Sequence, residues 1–83
     1  MKIEFSIHAL ERMEIRGISK SEVTEVLENF DSSENQDIET KIFSKILIES
    51  NKTYLYRVFF NTTKNPQLVI TAYKTTKIEK YGY

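Results

Sequence analysis

The chain has 83 residues, a length that predicts one domain spanning residues 1–83. It has no cysteine, which excludes disulfides and thiolate metal sites, and no apolar run near the ~20 residues that a membrane-spanning helix needs. The formal net charge is zero, so a whole-protein charge argument for nucleic-acid binding fails. The start of the chain also lacks the apolar stretch of a signal peptide, and we therefore expect a cytoplasmic protein with no membrane association.

The zero net charge conceals two halves of opposite sign. Residues 1–40 contain four basic and ten acidic residues, whereas residues 41–83 contain eight basic and two acidic ones. The basic residues fall in the first predicted helix and in the second half of the chain, and a local basic surface there is compatible with nucleic-acid binding. The alternative is that the two halves simply pair with each other.

The first predicted element is a helix over about residues 7–16. Ser6 precedes it as a cap, and Gly17 follows it, where a glycine commonly ends a helix. Apolar residues recur at helical spacing and predict its buried stripe. That stripe consists of Leu10 and Met13, with Ile7 or Ala9 beside them.

A second helix is predicted to begin at Lys20. Ser19 and Glu22 form an S-x-x-E capping box, and Ile18 and Val23 match the hydrophobic staple that accompanies such a box. The two helices are joined by only one or two residues, which predicts a tight helical pair. The predicted buried face of the second helix consists of Val23, Val26, Leu27 and Phe30.

The rest of the chain predicts strands. Residues 31–39 have the composition of a loop, and three segments rich in β-branched and aromatic residues follow, at 41–49, 53–61 and 67–74. The tail TTKIEKYGY is either a short fourth strand or an ordered tail. The order ααβββ with short connections predicts an α+β fold, in which two N-terminal helices pack on a three- or four-stranded antiparallel sheet.

The predicted central strands carry apolar residues on both faces, as strands covered on both sides do. Two helices can cover one face. We expect the other face, with Leu55, Phe59 and Val69, to be covered by the C-terminal tail, a second copy or a bound protein.

The only histidine, His8, is followed at spacings of four by Arg12 and Arg16. On a helix this spacing places all three along one face. Imidazole titrates near neutral pH and guanidinium forks bind phosphate, so the stripe is a candidate phosphate site. The alternative is a solvated face in which His8 bonds a nearby glutamate, the arginines pair with acids, and Arg16 neutralises the helix C-terminus.

Further candidates lie on the predicted strands and the tail. Arg57 sits among apolar neighbours, an expensive position for a charge without a partner, although an arginine can also snorkel to solvent. Thr71 and Tyr73 share one face of the last strand and are equally ordinary strand residues. The tail is basic and aromatic, which is typical both of a segment that follows a nucleic-acid backbone and of a solvated chain end. Its candidates are Lys74, Lys77, Lys80 and Tyr81.

The segment FSIHALERMEIRGIS, followed by SEV, and the later segments YRVF and VITAYKTTKIEKY resemble the bacterial family known as domain of unknown function 4258. That family is similar in layout to the RelE, ParE and BrnT toxins. The resemblance implies helices on an antiparallel sheet and RNA cleavage without a metal, by attack of a 2′-hydroxyl on the adjacent phosphate. It also implies RNA as substrate, with an antitoxin protein or a homodimer as possible partners.

On this resemblance, one cleft holds the catalytic residues and a flanking surface binds RNA. The predicted catalytic set is His8, Arg12, Arg57, Thr71 and Tyr73. The predicted RNA-binding set is Arg16, Lys74, Lys77 and Tyr81.

Other kinds of site find less support. A single histidine excludes a two-histidine acid–base pair, and the carboxylates show no metal-ligand spacing. Two glycines in the whole chain exclude a glycine-rich phosphate loop, so we expect neither a metal nor a cofactor. The alternative function is a non-catalytic protein-interaction module of the same fold.

Overall fold

The computed structural model describes residues 3–64 and 66–82. Five strands form one sheet in the order β1-β5-β4-β3-β2, in which β1 is parallel to β5 and all other neighbours are antiparallel. Two helices pack on one face of the sheet, α1 over β5 and α2 over β4 and β3. The elements in chain order are β1 (Ile3–Phe5), α1 (Ile7–Arg16), α2 (Lys20–Glu28), β2 (Ser32–Asn35), β3 (Thr40–Glu49), β4 (Lys52–Asn61), β5 (Gln67–Thr75) and a C-terminal 3₁₀ helix (Ile78–Tyr81).

The α+β class is confirmed, and two details of the predicted sheet were wrong. The sheet has five strands and is mixed, because β1 precedes α1 and pairs in parallel with β5. β2 lies within the predicted loop 31–39; its four residues, SSEN, are all exposed and carry no alternation of apolar and polar side chains. The tail is an ordered 3₁₀ turn rather than a strand. Among the described residues, no helix has the length and apolarity needed to cross a membrane.

The helix ends follow the prediction. The Ser6 hydroxyl accepts the N–H of Ala9 at 3.0 Å, and Gly17 ends α1 with a positive φ of 67°, in the left-handed region that favours glycine. Ser19 and Glu22 form both bonds of the capping box. Isoleucines 7 and 15 are exposed, so only a narrow stripe of α1 meets the sheet.

Two predicted core positions are more exposed than expected. In α1 the buried residues are Ala9 and Met13, whereas Leu10 is part-exposed because it lies on the flank of the stripe. Phe30 lies beyond the end of α2 and is also part-exposed. Its ring packs against Phe43 of β3, with centroids 4.8 Å apart.

A bulge in β5 decides which side chains face the helices. Phe59 pairs with Thr71 and the next residue, Phe60, pairs with Val69, so Ile70 is the extra residue. The predicted placement of Val69 beside Leu55 and Phe59 was therefore wrong. The bulge interrupts the alternation, and Val69 points into the helix-side core with Phe60.

The face of the sheet away from the helices is partly covered within one chain. Leu55 has no exposed surface, and the C-terminal 3₁₀ helix places Tyr81 over the neighbouring Arg57. The expected cover by the tail is thus present at this end of the face. Binding of a second protein to this face remains a prediction.

On the helix side, a buried phenol joins the second helix to the strand hairpin. Tyr56 donates to Glu22 of α2 at 3.0 Å and also hydrogen-bonds Glu49 of β3. Lys74 binds both oxygens of Glu49, at 3.1 and 3.3 Å. Burial and the two carboxylates raise the pKa of Tyr56 far above its ordinary value. The bonds from Tyr56 and Lys74 lower the pKa of Glu49.

Replacing Ser19 with alanine should lower the free energy of unfolding by about 0.5–2 kcal/mol, because the N–H of Glu22 loses its hydroxyl acceptor at 3.1 Å. Urea denaturation measures the change. Ser21→Ala in the same helix is the matched control, since Ser21 is exposed and is not the cap. Equal midpoints for the two variants would contradict the role of the capping box.

Glu49 should contribute stability that disappears in acid. Its pKa is lowered in the folded state, so the contribution is present above the pKa of an unfolded glutamate, roughly 4.3, and is lost as the pH falls through the folded value. Urea midpoints measured from pH 7 to pH 2.5 should fall less steeply for Glu49→Gln than for the parent. Glu28→Gln, an exposed change, should keep the parent profile.

Candidate functional site

The most unusual side chain of the sheet is Arg57, in the middle of β4 on the face away from the helices. Only 12 % of its side chain is exposed, and three elements supply its partners. It donates to the Tyr73 hydroxyl at 2.8 Å, and its other terminal nitrogen pairs with Glu34. The ring of Tyr81 lies 4.5 Å from its guanidinium carbon. We call Arg57, Tyr73 and Tyr81 the arginine–tyrosine cluster.

The two tyrosines of the cluster are joined by a hydrogen bond. The Tyr73 hydroxyl donates to Tyr81 at 3.2 Å and accepts from Arg57, so the three groups form a directed chain of donors. Burial, together with the bond to Tyr81, raises the pKa of Tyr73. The bond from Tyr73, with the positive charges of Lys80 and Arg57, lowers the pKa of Tyr81. The pair therefore contains one phenol that retains its proton and one that loses it more readily.

Burial opposes the charge of Arg57, but the bond to Tyr73 and the charge of Glu34 outweigh it and raise the pKa of Arg57. The guanidinium therefore remains charged at physiological pH.

Arg16, at the end of α1, reaches the same cluster from the sheet edge. One of its nitrogens donates to the backbone carbonyl of Ala72 at 2.8 Å, and its guanidinium carbon is 6.0 Å from the centroid of the Tyr73 ring. Arg57 is 5.9 Å from the same centroid. Tyr73 therefore has one guanidinium near it from the helix and another from the neighbouring strand.

The other members of the α1 stripe do not join this cluster. His8 and Arg12 are exposed, and within residues 3–64 and 66–82 neither side chain makes a hydrogen bond or ion pair. His8 lies two helical turns before Arg16, about 12 Å along the axis. Convergence of His8, Arg12 and Arg57 on one cleft would favour the enzyme, whereas exposure of the stripe away from the sheet would favour the interaction module. His8 and Arg12 are exposed, which favours the module, while Arg16 contacts the cluster.

The remaining predicted residues divide between the two faces. Thr71 pairs with Phe59 and shares the face of Arg57. Lys74 lies on the helix side, opposite Tyr56, where Glu49 neutralises it. Lys77 and Lys80 are exposed on the tail that carries Tyr81.

Sequence reasoning missed Glu34. It falls in the polar segment SSEN, where no periodicity separates it from the other acids of residues 31–39. Its side chain reaches Arg57 across β3 because Ser44, which pairs with Arg57, is small. An arginine in the middle of a strand indicated that an acidic or polar partner was needed. That the partner is Glu34 follows only from the pairing of β2 with β3.

The cluster and the neighbouring Arg16 together offer two guanidiniums and two phenols, and among the described residues Glu34 is the carboxylate that pairs with Arg57. Groups of three or more histidines, cysteines or acids arranged to hold a metal are not found among the described residues. Guanidiniums bind phosphate oxygens through paired hydrogen bonds, and tyrosines supply both ring faces and titratable protons. The arrangement is suited to an anion, and specifically to a phosphate flanked by a base.

Together these features define a small α+β domain with two helices on one face of a mixed sheet and an arginine–tyrosine cluster on the other. The chain belongs to the family described as Domain of unknown function (DUF4258), whose model matches residues 5–74. No curated protein and no solved structure matches the chain. The likeness to the RelE, ParE and BrnT toxins stays a prediction.

The two tyrosines of the cluster should titrate differently. Following ring carbon signals by NMR from pH 7 to pH 11, we expect Tyr81 to lose its proton below the ordinary value of about 10 and Tyr73 to lose its proton above it. Tyr73→Phe should move the Tyr81 midpoint upward, because its hydrogen-bond donor is gone. Unchanged titration of Tyr81 in that variant would contradict the hydrogen-bonded pair.

Proposed function

We propose that the protein is a metal-independent endoribonuclease of the toxin type. In this proposal a 2′-hydroxyl of RNA attacks the adjacent phosphate and leaves a cyclic phosphate. The observation that carries the proposal is the arginine–tyrosine cluster, in which a partly buried guanidinium lies within hydrogen-bonding distance of a linked pair of phenols.

Arg57 is the group that stabilises the charge of the reacting phosphate. As the 2′-oxygen adds, negative charge builds on the phosphate oxygens, and a fixed, largely desolvated guanidinium stabilises that charge more than solvent does. Arg16, whose guanidinium carbon also lies 6.0 Å from the centroid of the Tyr73 ring, binds the next phosphate of the strand. The Tyr73 ring provides a surface on which the intervening base stacks.

The tyrosine pair moves the protons. In the ionised form that its lowered pKa favours, Tyr81 accepts the proton of the 2′-hydroxyl as the 2′-oxygen bonds to phosphorus. The bond from phosphorus to the 5′-oxygen breaks, and that oxygen receives the proton of Tyr73, whose anion Arg57 stabilises. A proton then passes from Tyr81 to Tyr73 along their hydrogen bond, and both residues return to their starting states.

In this mechanism the exposed basic residues bind the strand rather than react with it. Arg12 and His8 continue the line of Arg16 along α1, and Lys77 and Lys80 lie on the tail beside Tyr81. Each phosphate contact of this kind adds to the salt dependence of binding.

Cleavage of end-labelled RNA at fixed salt, in the presence of a chelator, tests the proposal. Tyr81→Phe should lower the rate by about 10²–10⁴-fold, the usual contribution of a proton-transfer group. Arg57→Gln should lower it by about 10²–10³-fold through loss of one charge-stabilising donor. His8→Ala should change it by less than about tenfold, since His8 is remote from the reacting atoms in this mechanism.

Matched controls come from the other parts of the same sheet. Tyr54→Phe removes a hydroxyl on the helix side, and Lys52→Gln removes an exposed positive charge at the start of β4; both should leave the rate unchanged. A parent protein that cuts no RNA would refute the enzyme proposal. Loss of activity in His8→Ala with full activity in Tyr81→Phe would instead assign proton transfer to the histidine.

A protein-interaction module is the second candidate function. The observation in its favour is the exposure of Ile7 and Ile15 on α1, at 77 % and 74 %, and of Ile38 at 95 %. Isolated exposed apolar residues are normal on a monomer, so this support is weaker than that of the cluster. An antitoxin protein or a second copy of the chain is the corresponding proposed partner.

A further inference from the structure

The phosphate position proposed for Arg57 already contains an anion of the protein. The Glu34 carboxylate pairs with the terminal nitrogen of Arg57 that Tyr73 does not use. With Tyr81 over its face, the guanidinium has partners from β2, β5 and the tail at once. A phosphate that binds the terminal nitrogen paired with Glu34 must therefore displace that carboxylate.

Glu34 is the partner that can move. Its side chain is 61 % exposed, whereas that of Arg57 is 12 % exposed and is held in the central strands. β2 is the edge strand of the sheet, and all four of its residues are exposed. Rotation of the Glu34 side chain into solvent breaks no backbone hydrogen bond, because the ion pair is made by side-chain atoms alone.

We propose that Glu34 is a built-in competitor, whose carboxylate occupies the phosphate position on Arg57 and is displaced when RNA binds. In the free protein it neutralises a charge that is costly to leave buried and unpaired. In the presence of RNA it lowers affinity, since a carboxylate beside a phosphate is repelled. The wild-type protein therefore binds RNA more weakly than its cluster allows.

The inference rests on the proposed function in one respect, namely that RNA phosphate binds at Arg57. It is tested without cleavage, using a uridylate hexamer whose 2′-oxygens are all methylated and which therefore cannot react. Binding is measured by isothermal titration at fixed salt. Glu34→Gln should tighten the dissociation constant on the order of tenfold, because it removes the competing negative charge.

Two further variants distinguish the loss of the carboxylate beside Arg57 from a general change in the net charge of the protein. Glu28→Gln removes one exposed carboxylate from the helix layer on the other face of the sheet and should change the dissociation constant by less than about twofold. Glu34→Ala should reproduce the tightening seen with Glu34→Gln. Thermal melting of each variant verifies that it is folded.

Arg57→Gln separates this inference from the proposed function. Weaker binding with Arg57→Gln and unchanged binding with Glu34→Gln would place RNA at Arg57 and overturn the competitor role alone. Unchanged binding with both variants, or no binding by the parent, would overturn the phosphate site and the competitor together. If Glu28→Gln tightened binding as much as Glu34→Gln, the change would follow from the net charge of the protein. That result would also overturn the competitor role.

Discussion

The organisation of this domain depends on three hydrogen bonds made by Ser6. Its backbone N–H bonds the carbonyl of Val69, and its hydroxyl donates to the carbonyl of Ile70 and accepts the N–H of Ala9, each at 3.0 Å. One residue thus ends β1, begins α1 and binds the bulge of β5. Because the bulge reverses the side-chain alternation of β5, it turns Val69 toward the helices and leaves Thr71 on the opposite face. The bulge thus places Val69 in the core beneath the helices and Thr71 on the face that carries Arg57.

The features predicted correctly from the sequence are those encoded by neighbouring residues. The capping box at Ser19 and Glu22 and the glycine after α1 depend on contacts within four residues. The end of α1 and the start of α2 were predicted from them. Val69 was assigned to the wrong face because a bulge depends on the register with β4. β1 and β2 were missed because three or four residues are too short to display a period of two.

Only part of the candidate site could be predicted from the sequence, because the rest depends on contacts between distant residues. A charge in the apolar segment of β4 identified Arg57 as a residue requiring partners, and the shared face of Thr71 and Tyr73 followed from strand periodicity. Which member of the α1 stripe meets the sheet depends on how the helix crosses β5, and that residue is Arg16. Tyr81 lies outside the range of residues 5–74 that the family model matches, whereas Arg57, which its ring covers, lies inside that range.

The pairing of β1 with only the first residues of β5 leaves the rest of that strand without a neighbour on one side. Among the described residues, β1 pairs with residues 67–69, and the carbonyls of Ile70 and Ala72 beyond them accept the Ser6 hydroxyl and the Arg16 guanidinium. An open strand edge is a template on which further chains can add and grow into aggregates. These two side chains occupy acceptors that an incoming strand requires. Arg16, which is proposed to bind RNA, therefore also occupies a carbonyl to which an added strand would bond.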